Sequence, residues 1–219
     1  MKKVIITGST GMVGKGVLYE CMEHPEIEKI LLVNRSTLGV QHPKLEELLL
    51  KDFTQFSKVP EQLKGYDACF HCMGVSAVGM DEANYSKLTF DITKSLADTL
   101  FEINPNMTFN YVSGAGTDSS EKGRVMWARV KGKTENYLLN KGFKHAYMFR
   151  PGFIIPEKGI KSRTGWLNTL YTILKPFHSV IKKSKSVTST TKIGLAMINI
   201  LNGNDEGNYL SNVDINSLA

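Results

Sequence analysis

The apolar run Val4-Ile5-Ile6 leads straight into Thr7-Gly8-Ser9-Thr10-Gly11-Met12-Val13-Gly14, after which apolar residues recur at helical spacing. Few short patterns restrict a fold so tightly. Gly8 permits the tight turn from strand to helix, Gly11 leaves no side chain between the backbone and an incoming anion, and Gly14 lets the first helix lie close on its strand. The N–H groups at the helix start then face that anion. An ordinary strand-to-helix turn is the plainer alternative. The strand before the glycines and the apolar face of Val13, Val17, Leu18 and Cys21 after them favour a dinucleotide pyrophosphate site made by residues 7–14.

A chain of 219 residues with 42% hydrophobic content can bury a substantial core and is expected to form one domain, residues 1–219. The N-terminal apolar run is too short for a signal peptide, and no segment approaches a membrane span. A cytoplasmic protein is expected. Its 3 cysteines, an odd number without metal-ligand spacing, fit reduced thiols. Cys69-Phe70-His71-Cys72 has redox-motif spacing, but in a strand residues three apart point to opposite faces. The formal charge of +6 suits an anionic partner. Because the basic residues are scattered and not interleaved with aromatics, nucleic acid is not expected as a partner. The densest cluster, Lys182-Lys183-Ser184-Lys185, follows Trp166, Leu167, Leu170, Ile173, Leu174 and Phe177. That segment reads as a pocket lid with a solvated edge, or as a surface that touches a membrane. His24, His42, His71, His145 and His178 show no ligand spacing, and no metal is expected.

Near-continuous apolar runs at Val4–Ile6, Ile30–Val33, Leu48–Leu50, Ala68–Phe70, Phe109–Val112 and Ala146–Phe149 predict strands buried on both faces. Helical spacing follows at 11–23, 60–64, 81–103 and 127–140, with Gly142 placed to stop the last. Right-handed crossovers then give an α/β, doubly wound, mainly parallel sheet of the Rossmann type. After Pro151 the pattern loosens, with a helix expected around 190–201. Residues 151–219 are expected to form a small C-terminal segment on the substrate side.

An acidic residue about twenty positions past the last glycine would hydrogen-bond the adenosine ribose of NAD. Asn34-Arg35 stands there instead. A guanidinium binds a ribose 2′-phosphate through a fork of donors where a carboxylate would repel it, so NADP is favoured over NAD. Arg35 also reads as a solvated residue at a strand end. Asp52-Phe53 is placed to meet the adenine, although a surface Asp opening a loop is the competing reading. Gly74, beyond the fourth strand, would let the cofactor pass where strand order reverses.

Together with Tyr66-Asp67-Ala68, Tyr111-Val112-Ser113, Lys131-Gly132 and Phe149-Arg150-Pro151-Gly152, the glycine loop resembles the short-chain dehydrogenase/reductases. The narrower resemblance, from Lys3 to about Leu201, is to the atypical branch containing Tat-interacting oxidoreductase-like proteins and nucleoside-diphosphate-sugar epimerase-like proteins. The resemblance implies that Ser113 matches the catalytic serine and that Lys131 matches the lysine of a Tyr-x-x-x-Lys pair, where it also contacts the nicotinamide ribose. It further implies that Pro151, Gly152 and Phe153 border the nicotinamide. A phenol with a reference pKa of about 10 needs a neighbouring ammonium to transfer protons at neutral pH, and four-residue spacing puts both groups on one helix face. Trp127 occupies the tyrosine position. Indole has one N–H donor and no useful titrating proton, so cofactor binding survives this substitution and the usual relay does not.

Among other tyrosines, Tyr111 falls in a strand and Tyr137 lies about 15 Å along the helix, which leaves Tyr85 as the replacement to test. Two functions follow: an NADP-dependent oxidoreductase or epimerase acting on a small molecule, or a non-catalytic NADPH sensor or scaffold working through a protein partner or a second copy of itself. An apolar pocket formed by Phe153, Ile154, Trp166, Leu170 and Phe177 and open to the nicotinamide would favour the enzyme.

Overall fold

The computed structural model describes residues 1–161, 186–203 and 207–219. Seven strands form one parallel sheet: β1 (Lys2–Thr7), β2 (Ile27–Asn34), β3 (Leu45–Leu49), β4 (Ala68–His71), β5 (Thr108–Val112), β6 (His145–Phe149) and β9 (Tyr209–Leu210). Their spatial order is β3-β2-β1-β4-β5-β6-β9. Order therefore reverses between β1 and β4, which opens a crevice at the carboxyl ends of those two strands. A second, two-stranded parallel sheet pairs β7 (Phe153–Ile155) with β8 (Val187–Ser189).

The unbroken apolar runs are explained by two cores, one on each face of the sheet. Val4, Ile6, Ile30, Leu32, Ala68, Phe70 and Phe149 meet Val17, Leu18 and Cys21 of α1 (Met12–Glu23) on one side. Ile5, Leu31, Val33, Cys69, Phe109 and Met148 meet Leu96, Ala97 and Leu100 of α3 (Ile92–Ile103) and Leu138 of α4 (Met126–Asn140) on the other. Cys69 belongs to the second core and Cys72 packs on the first, so the two thiols lie on opposite faces as the strand period requires.

Three sequence expectations need adjustment. The third strand spans Leu45–Leu49 and is only partly buried, because it lies at the sheet edge with one neighbour. The predicted helix over 81–103 is interrupted: α2 (Glu82–Ser86) passes through a π-helical turn at Lys87–Asp91 before α3. The C-terminal stretch is not confined to the substrate side. Ile193, Ala196 and Met197 of α5 (Thr190–Asn199), Leu210 of β9 and Ile215 of α6 (Asn212–Leu218) complete the first core, since α1 needs a partner for its apolar face. Among the described residues no helix is long and apolar enough to cross a membrane. The expectations placed on Trp166, Leu167, Leu170, Ile173, Leu174, Phe177, His178 and the 182–185 basic run lie outside the described residues.

Helix α4 is set close to the loop after β5 by Gly132, where a Cβ would stand 1.8 Å from the carbonyl oxygen of Asp118. Replacing that glycine with alanine returns about 1 kcal/mol of helix propensity. Overpacking against backbone costs about 1–3 kcal/mol or more, so Gly132→Ala is expected to be net destabilising, read as a lower urea midpoint.

Candidate dinucleotide site

The loop after β1 is built from close approaches that only glycine allows. Gly8 adopts φ +76, and a Cβ there would meet the backbone of Cys72 and Met73 at 2.7 Å. A Cβ on Gly14 would lie 2.3 Å from the carbonyl oxygen of Gly8. The first helical turn is thus pressed onto the loop. Gly11 is the N-cap of α1, and no side chain caps the helix. Its amino end is left to an external anion. This cradle fits a dinucleotide pyrophosphate, with residues 8–14 as the holding segment.

From the loop a cleft runs along the crevice, lined by Gly8, Thr10 and Gly11, by Asn34, Arg35 and Ser36 after β2, by Phe53, and by Met73 and Gly74 after β4. Among the described residues no acidic side chain is in that lining. Phe53 stacks on Phe56 with ring centroids 5.9 Å apart. Gly74 faces open space, so a Cβ would meet nothing within 4 Å. Asp52 is not among the lining residues. Its Oδ1 accepts from the backbone N–H and hydroxyl of Thr54 at 2.9 and 2.7 Å, closing a local turn on the surface. Those bonds hold its carboxyl below the ordinary value. Cys72 also borders the cleft, and burial pushes its thiol up to about 12, which keeps it protonated and unreactive.

Two predicted residues turn inward. Ser9 Oγ donates to Asn34 Oδ1 at 2.9 Å. Thr7 Oγ1 lies 2.7 Å from His71 Nδ1, and His71 Nε2 lies 2.9 Å from Thr93 Oγ1. Thr93 gives its proton to the Thr89 carbonyl at 2.7 Å, so Nε2 must carry the imidazole proton and Nδ1 must accept from Thr7. Burial drives His71 down to about 3, keeping it neutral.

A second cluster forms at the ends of β5 and β6. Lys131 Nζ donates to the Ser113 carbonyl, and burial lowers its ammonium to about 8 against the opposing pull of the Glu135 carboxylate. The Ser113 hydroxyl faces the interior, donating to Glu135 Oε1 at 2.5 Å, with the Phe149 carbonyl 3.2 Å away. Glu135 is fully buried and is gripped by Arg150 through Nε at 3.0 Å and through Nη2. Ser113 is 3% exposed, so its expected contact with a substrate oxygen is not prepared here: a buried carboxylate competes for the same hydroxyl proton. Ser113 N–H bonds the Phe149 carbonyl and Ala115 N–H bonds the Pro151 carbonyl, each at 2.9 Å, so these two amides are already paired. Gly152 N–H donates to Asn212 Oδ1 at 3.0 Å, and Phe153 begins β7.

Trp127 lies against the same turn: a Cβ on Gly116 would stand 3.4 Å from its Cη2. The three tyrosines considered as proton donors are engaged elsewhere. Tyr85 is 2% exposed, and burial raises its phenol. Tyr111 stacks on His71 at 5.6 Å, and Tyr137 donates to Asp98. Sequence reasoning considered His71 only as a metal ligand and overlooked Glu47 and Glu135. Only Glu135 left a signal, as a carboxylate one helical turn after Lys131 on the buried side of α4.

A family model described as NAD dependent epimerase/dehydratase family matches residues 4–124. The chain belongs to this family. Among curated relatives, Protein HTATIP2 of Rattus norvegicus is 25% identical over 76% of this chain and 68% of its own length. Protein FMP52, mitochondrial, of Saccharomyces cerevisiae is 23% identical over 96% of this chain and 94% of its own. The matched stretch spans only about two thirds of the rat relative. Bordetella bronchiseptica WbmH, solved in complex with NAD+, shares the fold of this epimerase/dehydratase family member with a TM-score of 0.69 at 16% identity, covering 96% of this chain and 75% of that one. The yeast short-chain dehydrogenase/reductase YIR035C superposes with a TM-score of 0.64 at 18% identity over 100% of this chain and 98% of its own.

The buried His71 carries a pH dependence. Its folded value lies below the unfolded one, so the unfolded chain binds the extra proton and stability falls as pH drops from about 6.5 towards 3. His71→Asn is expected to reduce the slope of unfolding free energy against pH in that window by up to about 1.4 kcal/mol per pH unit, measured by urea denaturation at pH 6.5, 5.5 and 4.5.

Proposed function

We propose that this chain is an NADP(H)-binding member of the atypical short-chain dehydrogenase/reductases, an oxidoreductase or epimerase-like protein in which Trp127 takes the place of the usual catalytic tyrosine. The observation that carries the cofactor choice is the composition of the cleft wall after β2: Arg35 and Ser36 are exposed at its edge, and among the described residues no carboxylate lines it. A 2′-phosphate finds a guanidinium fork there. Residues 8–14 hold the pyrophosphate, Phe53 and Gly74 border the crevice, and Lys131 is the ribose contact beside Gly114. When bound, the cofactor supplies hydride transfer at its nicotinamide.

The protein's own contribution to chemistry is narrower than in relatives with a full relay. Lys131 offers a charged donor whose value of about 8 lets it hold or release a proton near neutrality. Ser113 braces Glu135, and we assign it a positioning role over direct contact with substrate. A second reading, an NADPH sensor that acts through a protein partner or a second copy of itself, is favoured by the same two facts: an indole over the Gly114–Gly116 turn and an inward serine hydroxyl. Free cysteines at positions 21, 69 and 72 support a reducing compartment such as the cytoplasm, while the FMP52 relatives carry a mitochondrial name.

Titration with NADPH and NADH, followed by fluorescence, tests the cofactor choice. Arg35→Ala is expected to weaken NADPH about tenfold or more and to leave NADH within about twofold; equal loss for both removes the role of Arg35. The relay is tested by Trp127→Tyr. That variant is expected to gain slow NADPH-dependent reduction of a reactive diketone, detected as loss of absorbance at the nicotinamide band, and background-level turnover would count against the pairing of Trp127 with Lys131.

A further inference from the structure

The bend after β2 is tied down by a carboxylate from the neighbouring strand. Glu47 Oε1 accepts from Asn34 Nδ2 at 3.3 Å and from the Leu38 backbone N–H at 2.8 Å, while Oε2 accepts from Thr37 Oγ1 at 2.5 Å. Those three donors bracket Arg35 and Ser36. Thr37 Oγ1 also accepts from the Gly39 N–H at 3.2 Å, and Gly39 takes φ +71 to make the turn. One side chain thereby sets the backbone path from 34 to 39. On its other side Asn34 accepts from Ser9 at 2.9 Å, which joins the bend to the glycine loop.

The chemical consequence lies in what is left facing the cleft. A ribose with a free 2′-hydroxyl is best recognised by an acceptor at the end of β2. Asn34 directs its acceptor to Ser9 and its donor to Glu47. Burial by itself would raise the Glu47 carboxyl, but the bonds from Thr37, Leu38 and Asn34 outweigh it and hold the group below its ordinary value, hence ionised. Its two oxygens accept from three donors of the bend, which fixes the carboxylate against the 34–38 backbone and leaves Arg35 and Ser36 outside that set of bonds. The groups remaining at the surface of the bend are a guanidinium and hydroxyls.

We propose that Glu47 is a positioning residue that selects a dinucleotide bearing a 2′-phosphate, by fixing the 34–39 bend with Arg35 and Ser36 at the cleft and with the Asn34 acceptor turned away from a ribose hydroxyl. The inference rests on the NADP(H) reading above. Dissociation constants for NADPH and NADH, measured on the full chain for wild type, Glu47→Gln and Thr37→Val with a thermal melt of each, test it. An amide keeps the size of Glu47 but loses an acceptor and the charge, so Glu47→Gln is expected to weaken NADPH about tenfold with NADH changed less than about twofold. Thr37→Val, which removes one of the three bonds from an exposed position, is expected to lower the preference in the same direction by about threefold. Equal weakening of both cofactors would mean that the bend is merely structural and would overturn the proposal, as would an unchanged ratio in both variants. If Glu47→Gln does not fold, the ratio in Thr37→Val decides alone. Wild-type protein that binds both cofactors equally fails the NADP(H) reading itself and takes this inference with it; a wild-type preference that survives both substitutions sinks only the inference.

Discussion

The organisation of this molecule depends on backbone meeting backbone at the end of β1. Gly8 presses on Cys72 and Met73, and Gly14 presses on the Gly8 carbonyl, at distances no side chain can occupy. Through these contacts β1, α1 and the segment after β4 converge on one point, at the place where strand order reverses. The helix amino end, the crevice and the mouths of the neighbouring loops are all positioned relative to that point. A methyl group at either glycine would push α1 off the sheet, and with it the packing of α1 on α5, where a Cβ at Gly16 would approach Thr190 within 2.5 Å.

Around this point three polar chains connect strand ends to the elements beside them. Thr7, His71 and Thr93 join β1 and β4 to α3; Ser9, Asn34 and Glu47 join the glycine loop to β2 and β3; Ser113, Glu135 and Arg150 join β5 to α4 and the end of β6. Most of their members are buried, where a satisfied hydrogen bond is strong and a broken one is costly, while Glu47 and Arg150 close two of the chains from partly exposed positions. Ser113 and His71, which by residue type are candidates for catalysis, both spend side-chain hydrogen bonds on these chains.

Much of the fold was legible because its determinants are local or periodic. The glycine pattern specifies a turn within eight residues, and the apolar runs identify strands covered on both sides. The edge strand was harder, since Leu45–Leu49 carries a mixed pattern that a half-covered strand shares with a loop. The π-helical turn at Lys87–Asp91 leaves no periodic trace, because one wider turn hardly disturbs the spacing of apolar residues. The core role of 190–215 is not legible in the sequence, because β9 is only two residues long and joins the sheet next to β6, far from it in sequence.

By itself the sequence determined the sheet class, the glycine turn after β1 and the four-residue spacing of Trp127 and Lys131 on one helix, because glycine geometry and the helical and strand periods act over a few residues. Only the tertiary structure decided where the polar side chains point. The Ser113 hydroxyl is drawn inward by Glu135, which lies on another element, and Asn34 is oriented by Ser9 and Glu47 from two others. A hydrogen bond depends on distance and angle between groups that the chain brings together after long detours, and residue spacing carries no record of that geometry.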